Sequence, residues 1–269
     1  MDILEKIIAH KYKEVEERKS LFPTKLLEKS IYFNSDTVSL KKYILREDKS
    51  GIIAEIKRKS PSKGTINAHV SIERTSIGYM QAGASALSVL TDTDFFGGKN
   101  EDLITARKFN FCPILRKDFT VDEYQIVEAK SIGADAVLLI AAALEPVILK
   151  QLAAFAQSLG LETLLEVHNE EELNSSVNEH IDLVGVNNRN LKTFEVSIET
   201  SKSLASLIPS KFVKVSESGI SDPRTIMDLR AVGFQGFLMG ERFMQNSRPE
   251  KACARFIESL SQLEKNLYV

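Results

Sequence analysis

The chain has only two cysteines, Cys112 and Cys253, far apart and without a Cys-x-x-Cys pairing, so neither a disulfide framework nor a thiolate metal centre organises it. Histidine is nearly as scarce. His10, His69, His168 and His180 fall at no ligand spacing, and neither a metal nor any other cofactor is expected. An excess of one charge is also lacking: 35 Lys and Arg stand against 37 Asp and Glu, and the pI is near 6.2. Without a basic field, nucleic acid and anionic membrane are poor candidates for a partner, and any anionic ligand must be held by local groups. Long hydrophobic runs are missing too, because no uncharged apolar stretch reaches about 18 residues. The N-terminal MDILEKIIAHKYKEVEERKS has no uncharged signal core, which points to a cytoplasmic protein.

What the sequence does have is 43% hydrophobic residues in 269, enough for a large core, and from residue 51 onward one recurring phrase. A short β-branched or Leu-rich run is followed by a polar loop, a helical segment and another run. The runs are GIIAEIK, ASALSVLT, CPILRKD, ADAVLLIA, LETLLEV, DLVGVNN, FVKVSES and GFLMG. Between them lie helical stretches such as NEDLITARKF, EPVILKQLAAFAQSLG and DPRTIMDLRAVG. Gly83, Gly133, Gly160 and Gly233 suit left-handed helix ends, while Pro146 and Pro223 suit first helical turns. Nearly continuous apolar strands alternating with helices predict an α/β protein with a buried parallel sheet, closed as a (β/α)₈ TIM barrel. An open doubly wound sheet is the alternative, disfavoured by eight equal units and by the lack of G-x-G-x-x-G after the first strand.

Residues 1–50 stand outside this rhythm. Ile3, Leu4, Ile7, Ile8 and Val15 share roughly one helical face, and PTKLLEKS and SLKKYILRE suggest two further short helices. The expected division is a helical extension over 1–50 and a barrel over 51–269, with the extension serving as either a lid at the mouth or a plug at the bottom.

Side chains in a strand alternate faces, so Ile53, Glu55 and Lys57 share one face of the first strand. The same parity joins Leu115 to Lys117, Leu164 to Glu166, Gly185 to Asn187 and Val215 to Glu217. Barrel enzymes carry their chemistry at the C-terminal ends of the strands, so these polar ends predict one converging site in the barrel mouth. After the last two strands, SESGISDP and FLMGERF place Ser218, Gly219, Gly240 and Glu241 where barrel loops present backbone N–H groups to a phosphate. Lys57 and the Ser60 hydroxyl would add to that anion site.

In order along residues 50 to 245, the motifs AEIKRKSPSKG, VLTDTDFFGG, ILRKDF, ADAVLLI, LLEVHNEEEL, GVNNRNLKTF, VSESGI and FLMGERFM resemble those of the indole-3-glycerol-phosphate synthase family of tryptophan biosynthesis. Asn190 stands where that pattern has Asp, and Glu241 where some members have Ser. The resemblance implies a decarboxylating carbon–carbon lyase. It would convert a phosphorylated small molecule, 1-(2-carboxyphenylamino)-1-deoxyribulose 5-phosphate, into indole-3-glycerol phosphate with loss of CO₂ and water. It implies Lys117 as general acid, its proton made easier to donate by the nearby positive charges of Lys57 and Arg189, and Glu166 as base. Lys57 is an alternative acid, Glu55 and Glu217 orient the lysines, and Asn187 and Arg189 bind substrate. Phe119, Leu138 and Leu191 wall the aromatic ring. Phosphoribosylanthranilate isomerase and a non-catalytic sugar-phosphate-binding barrel are the competing readings, and a monomer or weak homo-oligomer is expected.

Overall fold

A computed structural model of the chain describes residues 2–266; residues 1 and 269, the outer bounds of the two expected segments, lie outside the described residues. Eight parallel strands close on themselves: β1 (Ile52–Ile56), β2 (Ala86–Leu90), β3 (Ile114–Lys117), β4 (Ala136–Ile140), β5 (Glu162–Val167), β6 (Leu183–Asn187), β7 (Val213–Glu217) and β8 (Gly236–Met239), which pairs back onto β1. This is the (β/α)₈ barrel, and the open sheet is ruled out. The strands read as unbroken apolar runs because both of their faces are covered: every residue of β1, β2 and β4 is buried.

The extension contributes α1 (Ile3–Leu21), α2 (Thr24–Leu27) and α3 (Leu40–Ile44). Around the barrel run α4 (Ile72–Gln81), α5 (Asn100–Phe109), α6 (Glu123–Ser131), α7 (Pro146–Ser158), α8 (Glu170–Ser176), α9 (Glu199–Leu204), α10 (Pro223–Ala231), α11 (Glu241–Met244) and α12 (Pro249–Asn266). Their ends follow the local chemistry. Asp222 caps α10 ahead of Pro223, Asp122 and Gln125 form a capping box on α6, and the four helix-end glycines all take positive φ. At Gly133 the requirement is also spatial, since a Cβ there would lie 2.7 Å from the Arg107 side chain. No helix among the described residues is long and apolar enough to cross a membrane.

Two apolar clusters divide the core. The larger fills the layer between strands and helices. The smaller lies inside the barrel, where Ile53, Leu115, Leu138, Leu164, Leu183, Val213 and Val215 meet. Each such side chain, fully buried, contributes about 1.5–3 kcal/mol. Leu40 and Ile44 of α3 belong to this inner cluster, and Ile44 approaches Gly236 at the start of β8. Thus α3 closes the bottom of the barrel, while α1 reaches the opposite end, where Ile3, Leu4 and Ile7 line the mouth. The extension therefore has one helix at each end of the barrel.

Between roof and plug the segment is tied along the outside of the barrel. Arg18 donates to Glu128 at 2.6 Å, Thr37 to the Gly160 carbonyl at 2.6 Å, and the Val38 N–H to Asp135 at 2.8 Å.

Candidate active site

Because strand parity is preserved around the closed sheet, the inward faces that are apolar at mid-barrel become polar at the C-terminal ends. They open into a cavity of about 550 Å³. The Lys117 ammonium lies 2.9 Å from Glu166 Oε2 and 3.5 Å from Glu217 Oε2. Beside it, Lys57 Nζ sits 2.7 Å from Glu55 Oε1. Asn187 donates through its side-chain amide to Glu166 Oε1 at 3.0 Å and accepts from the Arg189 N–H at 3.0 Å. Gly240 leaves room for this arrangement, since a Cβ there would lie 2.5 Å from the Glu55 carboxylate.

The electrostatics correct one expectation. Burial alone would favour a neutral Lys117, but Glu166, Glu217 and Glu55 outweigh it and raise its pKa well above the ordinary lysine range. The anticipated lowering by neighbouring cations does not occur in the free protein. Lys57 is taken up by Glu55, and Arg189 lies 3.5 Å from Glu241, so carboxylates surround the Lys117 ammonium. Of its two closest partners, Glu166 is held below the ordinary carboxylate range: burial opposes ionisation, but Lys117 and His168 favour the anion. Glu217 moves the other way, because burial, with repulsion from Glu166 and Glu55, outweighs the pull of Lys117. Two carboxylates on one ammonium thus have opposite proton affinities, the pattern that separates a charged partner from a proton carrier.

At the far side of the mouth, Ser218 and Gly219 take consecutive positive φ values of 66° and 79°. A Cβ on Gly219 would lie 2.6 Å from Val196, so only glycine makes this close turn without displacement. Gly240 leads directly into α11 at Glu241. Ser60 faces these loops from the short hairpin after β1, and all five residues line the same cavity. The Glu241 carboxylate is engaged by Arg189 at 3.5 Å and by Lys63 at 3.7 Å, which places an acidic group where the loops were expected to offer only backbone.

Phe119, Leu138 and Leu191 form the apolar side, so every candidate catalytic or substrate-binding residue named from the sequence lies on one cavity. One lining group and two largely buried charges behind the wall escaped sequence reasoning. Phe96 stacks obliquely on Phe119 with ring centres 5.8 Å apart, and its signal was present in VLTDTDFFGG. His168, two residues beyond Glu166 and hence on its side of the strand, lies 3.5 Å from Glu166 and 3.0 Å from Glu172. Burial lowers its basicity, but Glu172 and Glu166 more than compensate and raise its pKa. Lys11, spaced four residues from both Ile7 and Val15, is completely buried with them.

Comparison with known proteins follows the same line. Residues 4–256 match the family described as Indole-3-glycerol phosphate synthase. A protein of that name from Bacteroides thetaiotaomicron is 49% identical over 259 residues, covering 96% of this chain and 99% of the relative. Another from Burkholderia ambifaria is 41% identical over 256 residues, covering 94% and 98%. Among solved structures, one described as "Native KDPGal structure" superposes with a TM-score of 0.58 over 82% of this chain and 97% of its own, at 11% identity, a likeness of fold alone.

Proposed function

The chain belongs to the indole-3-glycerol phosphate synthase family, and from that premise we propose how its own side chains carry the family's reaction. The enzyme is a decarboxylating lyase that closes 1-(2-carboxyphenylamino)-1-deoxyribulose 5-phosphate to indole-3-glycerol phosphate, releasing CO₂ and water. The observation that carries the assignment of roles is the Lys117 ammonium, buried between Glu166 and Glu217 at the centre of the mouth.

The substrate phosphate is bound by the backbone N–H groups of Ser218–Gly219 and Gly240–Glu241, with Ser60 and Lys57 facing it. Its aromatic ring lies against Phe119, Leu138 and Leu191, beneath the apolar side chains of α1. Arg189, drawn from Glu241, pairs with an anionic group of the substrate. Ring carbon attacks the ketone, and Lys117 donates its proton to the developing alkoxide. While Lys117 stays deprotonated, the charge that kept Glu166 weakly basic is gone, so Glu166 is the stronger base for the later dehydration if Lys57 supplies its acid. Loss of CO₂ restores the aromatic ring, which is itself the electron sink. Dehydration then uses an acid for the departing hydroxyl, Lys57 or the reprotonated Lys117, and Glu166 removes the ring proton. Glu55 holds Lys57, Glu217 stores a proton beside Lys117, and Asn187 orients Glu166.

Residues up to about 50 serve this barrel as roof and plug, and the protein works in the cytoplasm as a monomer or weak homo-oligomer. The test is to supply the carboxyphenylamino substrate to purified protein and follow CO₂ together with indole fluorescence, against a background free of tryptophan. Isomerisation without CO₂, or binding without turnover, would overturn the assignment.

A further inference from the structure

Lys11 is an unusual resident of a protein interior. On α1, with its side chain 1% exposed, it places Nζ 3.0 Å from Asp92 Oδ2, 3.0 Å from Asp118 Oδ1 and 2.8 Å from Glu14 Oε2. An ammonium is costly to bury unless carboxylates surround it, and packing alone would be served better by an apolar residue. The two aspartates show what the charge connects. Asp92, in the loop after β2, accepts through Oδ1 from the N–H groups of Phe95 at 2.8 Å and Phe96 at 3.1 Å. Asp118, just past β3, accepts through Oδ1 from the N–H of Phe119 at 2.8 Å and through Oδ2 from the Thr91 hydroxyl at 2.5 Å. Phe96 and Phe119 are the paired rings of the cavity wall. One ammonium therefore bridges the two carboxylates that fix the backbone of each ring, and the helix that carries it also supplies the apolar roof.

We propose that Lys11 is a positioning residue that sets the aromatic wall of the substrate cavity, drawing the loop after β2 and the end of β3 together beneath α1. The proposal rests on reading the cavity as the site of the carboxyphenylamino substrate. Without Lys11, Asp92 and Asp118 face each other across the two segments and Arg116, 3.3 Å from Asp118, is left as the nearby cation. The rings separate, and the displacement reaches Lys117, the residue before Asp118. The phosphate loops after β7 and β8 carry none of this network, so the two halves of the substrate are affected differently.

The test measures KM for the substrate and the competitive inhibition constant of inorganic phosphate in Lys11→Met. Wild-type turnover, measured first, tests the functional reading by itself, while the ratio of variant to wild type tests Lys11. kcat/KM is expected to fall by about 10²-fold, the scale of a displaced reacting geometry. Phosphate inhibition should stay within roughly twofold, as for separated sites. In Lys11→Ala, added propylammonium, which replaces the missing stem and charge, should recover part of the loss. Should these variants not fold, the pair Lys11→Gln with Asp92→Asn removes one charge of each sign, keeps an oxygen for the Phe95 and Phe96 N–H groups, and is expected to show the same split. An unchanged kcat/KM, or substrate and phosphate weakened in parallel, overturns the proposal.

Discussion

Lys117 and Glu166 meet at 2.9 Å although their strands, β3 and β5, are separated by β4. The contact exists because both side chains leave the barrel wall at its polar upper end, and it brings the proposed acid and base together before substrate arrives. Lys117→Met keeps much of the stem but removes proton and charge. kcat should fall by about 10²-fold or more, with a much smaller change in KM. Single-turnover product fluorescence measures this, and a near wild-type rate would move the acid role to Lys57.

Glu217 gives a prediction for stability against pH. Its folded pKa is raised, so the folded state binds more protons than the unfolded state once pH exceeds the ordinary carboxylate value. The contribution of this group to stability therefore declines as pH rises from there toward the raised pKa. Glu217→Gln removes that decline. Melting temperatures recorded from pH 5 upward should show the variant gaining on the wild type, and parallel curves would contradict the raised value.

Asp118 behaves in the opposite sense. Burial opposes its ionisation, but Lys11 and Arg116 prevail and bring its pKa down to about 2. Stability from this anion is present above the unfolded aspartate value of about 3.9 and is lost as pH falls toward the folded value. Asp118→Asn should flatten the acid limb of a melting-temperature profile below about pH 4, and an acid limb identical to that of the wild type would count against the pairing.

Roof and plug are separable by mutation. Leu4→Ala trims the cavity roof and should raise KM while moving the melting temperature little. Ile44→Ala removes a side chain that is 4% exposed inside the barrel floor and should cost about 2–5 kcal/mol in unfolding free energy with KM unchanged. Denaturant melts beside steady-state kinetics distinguish the two, and a reversed pattern would exchange their roles.

Gly240→Ala tests the crowding around Glu55. The new Cβ would lie 2.5 Å from the carboxylate oxygen and 2.9 Å from the Glu55 Cβ, so Glu55 must move and Lys57 loses its 2.7 Å partner. Since φ here is −128°, backbone strain is not involved. Turnover should drop by about tenfold or more, and Glu55→Gln in the same background should add little, because the two changes disturb one contact.

The barrel was legible because buried parallel strands leave runs such as ADAVLLIA that little else produces, and because charged residues with matching parity on separate strands have few explanations beyond a shared mouth. The polar strand ends that line the mouth were legible for the same reason. The sense of the Lys117 shift was not: sequence supplies the charges, but their distances decide the sign, and Lys57 is neutralised by its own strand neighbour Glu55. Lys11 was hidden differently. On a helix rich in Lys and Glu it looks like another solvated charge, and the aspartates that bury it come from the segments just after strands two and three of the barrel.

The strap from roof to floor also imposes an order on biogenesis. Residues 2–50 leave the ribosome before any strand of the barrel exists, yet Arg18 finds its partner in Glu128, 110 residues later, and Ile44 packs against β8, the last strand to be made. At translation rates of about 5–20 residues per second, Arg18 waits roughly 5 to 20 s for Glu128. A segment synthesised before the barrel thus completes its docking late, and a nascent chain halted before β8 would lack the contact of Ile44 with Gly236 in the barrel floor.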